Sequence, residues 1–319
     1  EYMDEWRQIT SFIPDLVIML DNIIQHFIDN AAIELPDPHF LMPNSLEEFK
    51  TYVKKEQEGF AKAAYSAFRE RALGIGAMGF HSYLQRNDIP YESVYAASFN
   101  NRAFKYIKEA AFLASLDLGK KRGEAPDMRG TGLRNSHLLA IAPNASSSII
   151  CGGTSPSIEP SRANVYTHKT LSGSFKVKNK YLEQLLESKN LNNEKTWRDI
   201  SAAEGSVEGI EELSEEEKAI FKTAPEINQM WVVDHAHQRQ KYICQSQSVN
   251  LFFVPPKSEA PQEIHNDYLN YVNSVHWAGA SKLKSMYYLR SAAARNSENV
   301  NVKIPKINLE EQECISCEG

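Results

Sequence analysis

At 319 residues, 42% of them hydrophobic and 24% charged, the chain is long enough to bury a sizeable core and reads as a soluble globular protein of one large domain or two ordinary ones. A formal charge of −6, a pI near 5.9 and the lack of any long basic run exclude a nucleic-acid polymer as its main partner. Small phosphorylated ligands stay open, because backbone amides hold them without net positive charge.

The first segment, MDEWRQITSFIPDLVIMLDNIIQHFIDNA, sets Ile9, Phe12, Ile13, Leu16, Leu20, Ile23, Ile24 and Phe27 at helical spacing. Pro14, Asp15, Asp21 and Asn22 interrupt it too often for a membrane span or a signal sequence, which points to the cytoplasm, and Pro36 and Pro38 stop the helix. Ser45 and Glu48 stand in capping-box spacing and open the next helical segment, SLEEFKTYVKKEQEGFAKAAYSAFRERAL. In LGIGAMG, Gly74, Gly76 and Gly79 match the pattern of a dinucleotide-binding turn. That turn needs a strand before it and an acidic residue after the next strand; here the preceding residues are helical, and Asp88 and Glu92 come too early. Close packing of a helix end against its successor explains these glycines better. ESVYAASFNNRAFKYIKEAAFLASLDLGKKRG is a further long helix, with basic residues and Gly119 at its end.

Short β-like runs follow at HLLAIAP, ICQSQSVNLFFVP and SMYYLRS, and helices alternating with short buried strands predict an α/β architecture with parallel strands. After the first run, Pro143 leads into Asn144, Ala145, Ser146, Ser147 and Ser148, small residues that can begin a helix whose first N–H groups point outward. Such a place suits a phosphate or diphosphate, and equally an ordinary serine-rich cap. Cys151-Gly152-Gly153 would end that helix within two turns. Residues 188–218 are polar and acidic and predict a solvated helical excursion. Tyr287 and Tyr288, if inside a strand, point to opposite faces; if the strand ends there, both rings can turn to one side and stack. From Ala292 the periodicity is lost, so residues 292–319 read as a flexible tail behind a body of residues 1–291.

Cysteines 151, 244, 314 and 317 are no disulfide scaffold in a chain this long, and Cys151 and Cys244 read as buried small hydrophobes. Cys314 and Cys317 form a Cys-x-x-Cys close to the C-terminus. As zinc ligands they lack a second pair, since His235 and His237 would face different sides of a helix, and a redox dithiol is the better reading.

Taken in order, RALGIGAMGFHSYL, PNASSSIICGGTSPSIEPSRANVYTHKTLSGSF, YICQSQSVNLF, KLKSMYYLRSAAA and the terminal ECISC resemble the C-terminal half of the large, catalytic subunit of class I ribonucleotide reductases. The resemblance covers nearly the whole chain and is weakest at residues 188–218. It implies a helix-rich second half of a ten-stranded α/β barrel with a flexible C-terminal tail, working in the radical-based reduction of ribonucleoside diphosphates. Asn144, Ala145, Ser146, Ser147 and Ser148 would bind the substrate diphosphate, and Tyr287 and Tyr288 would relay a radical from a metal-containing small subunit to an active-site cysteine. Cys314 and Cys317 would reduce the buried active-site disulfide and be reduced in turn by thioredoxin or glutaredoxin. No cofactor would be bound directly by this chain; the tyrosyl radical and metal centre belong to the separate small subunit. The thiyl-forming cysteine, its two reducing partners and the regulatory regions fall in an N-terminal half. The chain is therefore expected to be a fragment, or one polypeptide of a divided subunit, inactive alone. The alternatives are an inactive interaction module that docks the small subunit through APQEIHNDYLNYVNSVHWAGASKLKSM, and a dinucleotide-dependent oxidoreductase.

Overall fold

The computed structural model describes residues 11–31, 44–53, 59–170 and 173–291. It divides into two compact units: residues up to Gly76 with Ala97–Ile141 and His235–Gln247, and Ala77–Ala96 with Ala142–Asp234 and the chain from Ser248.

In the first unit, α1 (Phe12–Ala31) buries Ile13, Val17, Asp21, Ile28 and Ala31. Phe12, Met19, Ile23 and Phe27 are exposed, so only part of the apolar stripe expected from the sequence faces inward. Ile28 and Ala31 join Phe49 of α2 (Leu46–Lys50) and Ala64 and Phe68 of α3 (Ala61–Glu70) in one cluster. The Phe49 ring lies 5.3 Å from Tyr65 and 5.6 Å from Phe68, and burial of such a ring contributes about 2–3 kcal/mol. Ser45 caps α2 by accepting from the Glu48 N–H at 3.1 Å. The Glu48 carboxylate accepts from Asn44 N at 2.9 Å rather than from Ser45, so the expected box closes one residue early.

Asp21 is fully buried and gathers distant parts of the sequence around α1. One carboxylate oxygen accepts from Arg71 Nε at 2.8 Å and Asn135 Nδ2 at 3.3 Å. The other accepts from Arg122 Nη1 at 3.0 Å, at the end of α5 (Val94–Arg122), and from Arg134 Nε at 3.5 Å. Burial would raise its carboxyl, but the guanidinium groups of Arg71, Arg134 and Arg122 outweigh that and hold it below the usual carboxylate range. Gly119 lies inside α5, not at its end: a Cβ there would collide with the Gly132 carbonyl, and the left-handed residue after the helix is Gly123, at φ 84°.

Three extended stretches run parallel in this unit. Leu73 N–H donates to His137 O at 2.9 Å and Ile75 N–H to Leu138 O at 2.8 Å, while Ile141 N–H donates to Ser246 O at 3.0 Å and Gln245 N–H to Leu139 O at 3.2 Å. The glycine-rich motif therefore follows a helix, as expected, but enters a strand-like pairing rather than a helix–helix contact. A Cβ at Gly74 would sit 3.4 Å from that of Ala140.

In the second unit, Gly79 starts α4 (Phe80–Arg86) at φ 80°. Residues 154–161 wrap that start: Gly79 N–H donates to Ser155 O at 2.9 Å, Phe80 N–H to Ser157 O at 3.2 Å and Ser161 N–H to His81 Nδ1 at 2.9 Å. His81 is fully buried and its pKa falls to about 3 because burial disfavours the imidazolium, so it accepts this bond as a neutral ring. An antiparallel hairpin, β1 (Val165–Thr170) and β2 (Gly173–Lys178), leads into α7 (Lys180–Ser188), α8 (Glu194–Ala202) and α9 (Glu215–Ile220). Residues 188–218, read as a solvated excursion, contribute Trp197, Ile200, Val207, Ile210 and Leu213 to a buried cluster completed by Val165, Leu182, Leu186, Ile220 and Phe221 from either side of it. Asn179 and Asn193 cap α7 and α8, and Ser214 with Glu217 forms a reciprocal capping box on α9.

Following α10 (Gln229–Gln240), β3 (Leu251–Phe253) pairs in parallel with β4 (Leu289–Ser291), and α11 (Gln262–Lys282) connects them. Phe253 meets Tyr268 and Tyr271 of α11 edge-on, and Gly279 gives way to Met286 just before β4. The architecture is helix-rich α/β with short parallel strands that do not close among the described residues, as in a partial barrel. No helix among the described residues is long and apolar enough to cross a membrane.

Candidate functional site

β4 begins at Leu289, immediately after the two tyrosines, so the alternation that would send their rings to opposite faces does not operate. Tyr287 N–H donates to Val249 O at 2.9 Å, Leu251 N–H donates to Tyr288 O at 2.9 Å, and Tyr288 N–H donates to Asn250 Oδ1 at 3.1 Å. The main chain is thus fixed while the rings lie with centroids 4.1 Å apart and planes at 48°, exposed to 48% and 45%. Of the two readings left open by the sequence, the one with both rings turned to one side is observed, as a close, tilted pair rather than a parallel stack. Arg290 places its guanidinium 5.0 Å from the centre of the Tyr288 ring.

Asn250 has a second partner. Its Nδ2 donates to Glu159 Oε1 at 2.5 Å, and both residues are buried. Burial pushes the Glu159 carboxyl up to about 7, against the downward pull of Arg162, of the Asn250 bond and of Arg290. Arg162 lies 5.6 Å over the Phe252 ring. No role was assigned to Glu159, Arg162, Asn250 or Arg290 from the sequence. The available signal was a single carboxylate in SIEPSR, between Ile158 and Pro160 in a run of serines and prolines with no local counter-charge but Arg162.

The predicted phosphate segment forms α6 (Ala145–Ile150), a short helix. Asn144 precedes it in the left-handed region at φ 54° and makes no side-chain cap, which leaves the first N–H groups without an intrahelical acceptor. Ser146 and Ser147 are exposed. Ser148 is buried, and its hydroxyl donates to Ala145 O at 2.8 Å, so this side chain faces inward. The helix gives out at Cys151, Gly152 and Gly153, as expected. Thr154 N–H then donates to Ser148 O at 3.1 Å, which ties α6 to the loop that carries Glu159.

Cys151 and Cys244 are exposed rather than buried. Cys151 is the residue where α6 ends, and Cys244 turns its Sγ to accept from the Leu138 and Leu139 N–H groups at 3.1 and 3.2 Å, so neither packs as a small hydrophobe. His235 is buried and His237 exposed on α10, on different faces as the spacing implied. Cys314, Cys317 and the predicted tail at 292–319 lie outside the described residues, as do Ile9, Pro36 and Pro38. A cavity of about 590 Å³ is lined by Lys176, Lys178, Asn193, Trp197 and Arg198 among others, and none of the sequence-predicted site residues lines it. Among the described residues no group of three His, Cys, Asp or Glu side chains is placed to hold a metal ion.

The profile of the family described as ribonucleotide reductase, barrel domain, matches residues 49–131 and 126–289. A ribonucleoside-diphosphate reductase large subunit of Invertebrate iridescent virus 3 is 42% identical across all of this chain, which spans 46% of that protein. A putative large subunit of Frog virus 3 is 39% identical, again across all of this chain and 50% of its own length. Among solved structures, the class Id ribonucleotide reductase alpha subunit of Actinobacillus ureae superposes with a TM-score of 0.71 at 37% identity, over 92% of this chain and 48% of that one. The chain thus spans about half the length of these relatives, and a match over most of its residues, with the paired tyrosines and the open α6 inside it, makes it a member of the ribonucleotide reductase barrel-domain family.

Proposed function

We propose that the chain is the C-terminal part of a class I ribonucleotide reductase large subunit and takes part in reducing ribonucleoside diphosphates to 2′-deoxyribonucleoside diphosphates. The observation that carries this reading is the tyrosine pair: two phenol rings with centroids 4.1 Å apart, on a main chain pinned by β3 and Asn250, both residues nearly half exposed. A phenol can give up an electron and a proton together, and neighbouring rings can pass that oxidation on. In this reading Tyr287 and Tyr288 carry the radical inward from a separate small subunit, which supplies the metal centre. The outward N–H groups of α6 and the Ser146 and Ser147 hydroxyls hold the substrate diphosphate. The thiyl cysteine comes from an N-terminal half of the large subunit. Each turnover releases the 2′-hydroxyl as water and oxidises a pair of active-site thiols to a disulfide; Cys314 and Cys317 reduce it by thiol–disulfide exchange and are restored by thioredoxin or glutaredoxin.

The test is Tyr287→Phe and Tyr288→Phe in the large subunit assembled with its small subunit. Each removes one oxygen and keeps the ring, so folding and diphosphate binding stay near native while deoxynucleotide formation is lost. Turnover near the native rate in either variant refutes the relay. Exposed Ile264, Leu269 and Trp277 on α11 favour a second reading, docking of the small subunit without catalysis, which that same retained binding with no dependence on the hydroxyls would leave standing.

A further inference from the structure

The loop that carries Glu159 has no assigned part in radical transfer, yet it reaches the tyrosine pair by two routes. The first is mechanical. Glu159 Oε1 holds Asn250 Nδ2 at 2.5 Å, and Asn250 Oδ1 in turn holds the Tyr288 N–H at 3.1 Å. A single buried amide therefore bridges a carboxylate and the backbone of one tyrosine of the pair. The second route is electrostatic. Arg290 lies 5.0 Å over the Tyr288 ring, and its Nε is buried with no hydrogen-bond partner among the described residues. Glu159 acts on that guanidinium through space. The Glu159 carboxylate feels the charge of both Arg162 and Arg290.

We propose that Glu159 is a positioning residue for the tyrosine relay, fixing the Tyr288 backbone through Asn250 and setting the net charge over the Tyr288 ring through Arg290.

This rests on the relay reading above. Its physical basis is Coulombic. A guanidinium next to a phenol ring opposes removal of an electron from that ring, and a nearby carboxylate cancels part of this opposition. With Glu159 ionised, Tyr288 is easier to oxidise; with Glu159 protonated, the Arg290 charge acts alone. The charged groups that face Glu159 are Arg162 on its own loop and Arg290 on β4, while Asn250 is neutral. Because burial brings the Glu159 carboxyl to about 7, the two charge states exchange near neutral pH. The loop also meets α6 through the bond from Thr154 N–H to Ser148 O, so the carboxylate stands between the substrate segment and the relay in one connected run of contacts.

The experiment places a fluorinated tyrosine at position 288 of this chain and follows its ¹⁹F resonance with pH. Glu159→Gln keeps the shape and the oxygen that accepts from Asn250, and removes only the charge. The expected result is a phenol titration displaced to lower pH in the variant, since the phenolate loses a neighbouring negative charge. The native protein should also show a second inflection near pH 7 that the variant lacks. Glu159→Asp, which keeps the charge, should retain that inflection. In the assembled enzyme, turnover should rise through about pH 7 in the native protein and stay low and flat in Glu159→Gln, with KM for the diphosphate unchanged. A fold-only role would not move the phenol titration. Identical phenol titrations in the native protein and Glu159→Gln would overturn the proposal. Retained turnover in Tyr288→Phe would instead remove the relay and leave the charge coupling measured by ¹⁹F intact, so the two failures read differently.

Discussion

Asp21 and Glu159 are both buried carboxylates with arginines for neighbours, yet the fold drives them in opposite directions. Asp21 receives its guanidinium groups by direct hydrogen bond, from Arg71, Arg122 and Arg134, and its carboxyl is held below the usual range. Glu159 has Arg162 and Arg290 within electrostatic reach but accepts its hydrogen bond from neutral Asn250, and burial wins. The lesson is that the number of nearby opposite charges does not decide the state of a buried acid. Direct donation does, because only a donated proton replaces the water the carboxylate has lost. One site is a permanent ion that ties helices together, and the other is an acid poised to change.

The largest effect should come from Asp21→Asn. Removing the negative charge leaves the side chains of Arg71 and Arg134 buried without a counter-ion, and urea denaturation should show a loss of about 3–5 kcal/mol. A loss below about 1 kcal/mol would mean that the arginines are solvated in some other way, and the contrast would fail. Glu159→Gln should act more weakly and with the opposite sign. The folded pKa of Glu159 is raised from 4.5 to about 7, so its contribution is fully present below the unfolded value and is lost as pH rises through the folded one. Melting curves should therefore show Glu159→Gln unchanged near pH 4.5 and more stable than the native protein at pH 8, by roughly 1–3 kcal/mol. For Asp21 the depressed pKa works the other way: stability is present above its unfolded value near 3.8 and lost on further acidification, a limb that Asp21→Asn should lack. The smallest effect should be Arg122→Ala, about 1 kcal/mol in the same denaturation experiment, because Arg122 is partly exposed and two guanidinium groups remain on Asp21. A cost equal to that of Arg71→Ala would show that exposure does not grade these bonds.

The tyrosine pair was legible in the sequence because both residues and the end of the strand are adjacent in the chain. Asp21 was not: it read as an interruption of an apolar run, and its partners lie 50, 101 and 113 residues away. Helix periodicity gave α1 and α5, but Gly119 was misplaced as a terminator because a close carbonyl approach and a left-handed cap demand the same residue. The buried cluster at the excursion was hidden by composition. Leu182 and Leu186, Trp197 and Ile200, and Val207, Ile210 and Leu213 carry the three- and four-residue spacings of buried faces, each diluted by acidic neighbours. The β1–β2 hairpin also went unread, although VYTHKT is rich in strand formers and a glycine follows. The meeting of Glu159, Arg290 and Asn250 left no signal in the sequence beyond a lone carboxylate among serines and prolines, since it depends on the pairing of β3 with β4.

The main chain of Tyr287 and Tyr288 is held by the backbone of Val249 and Leu251 and by the side-chain amide of Asn250, and none of these three bonds involves a tyrosine ring. Hydrogen bonds of that kind do not register what the ring carries, and both tyrosines are nearly half exposed. The pair is consequently a place where chemistry can be exchanged at little cost to architecture. Halogenated, aminated or methylated phenols should enter positions 287 and 288 with the strand register unchanged. Oxidation potential at this point of the chain is therefore free to be tuned separately from the stability of the fold that presents it.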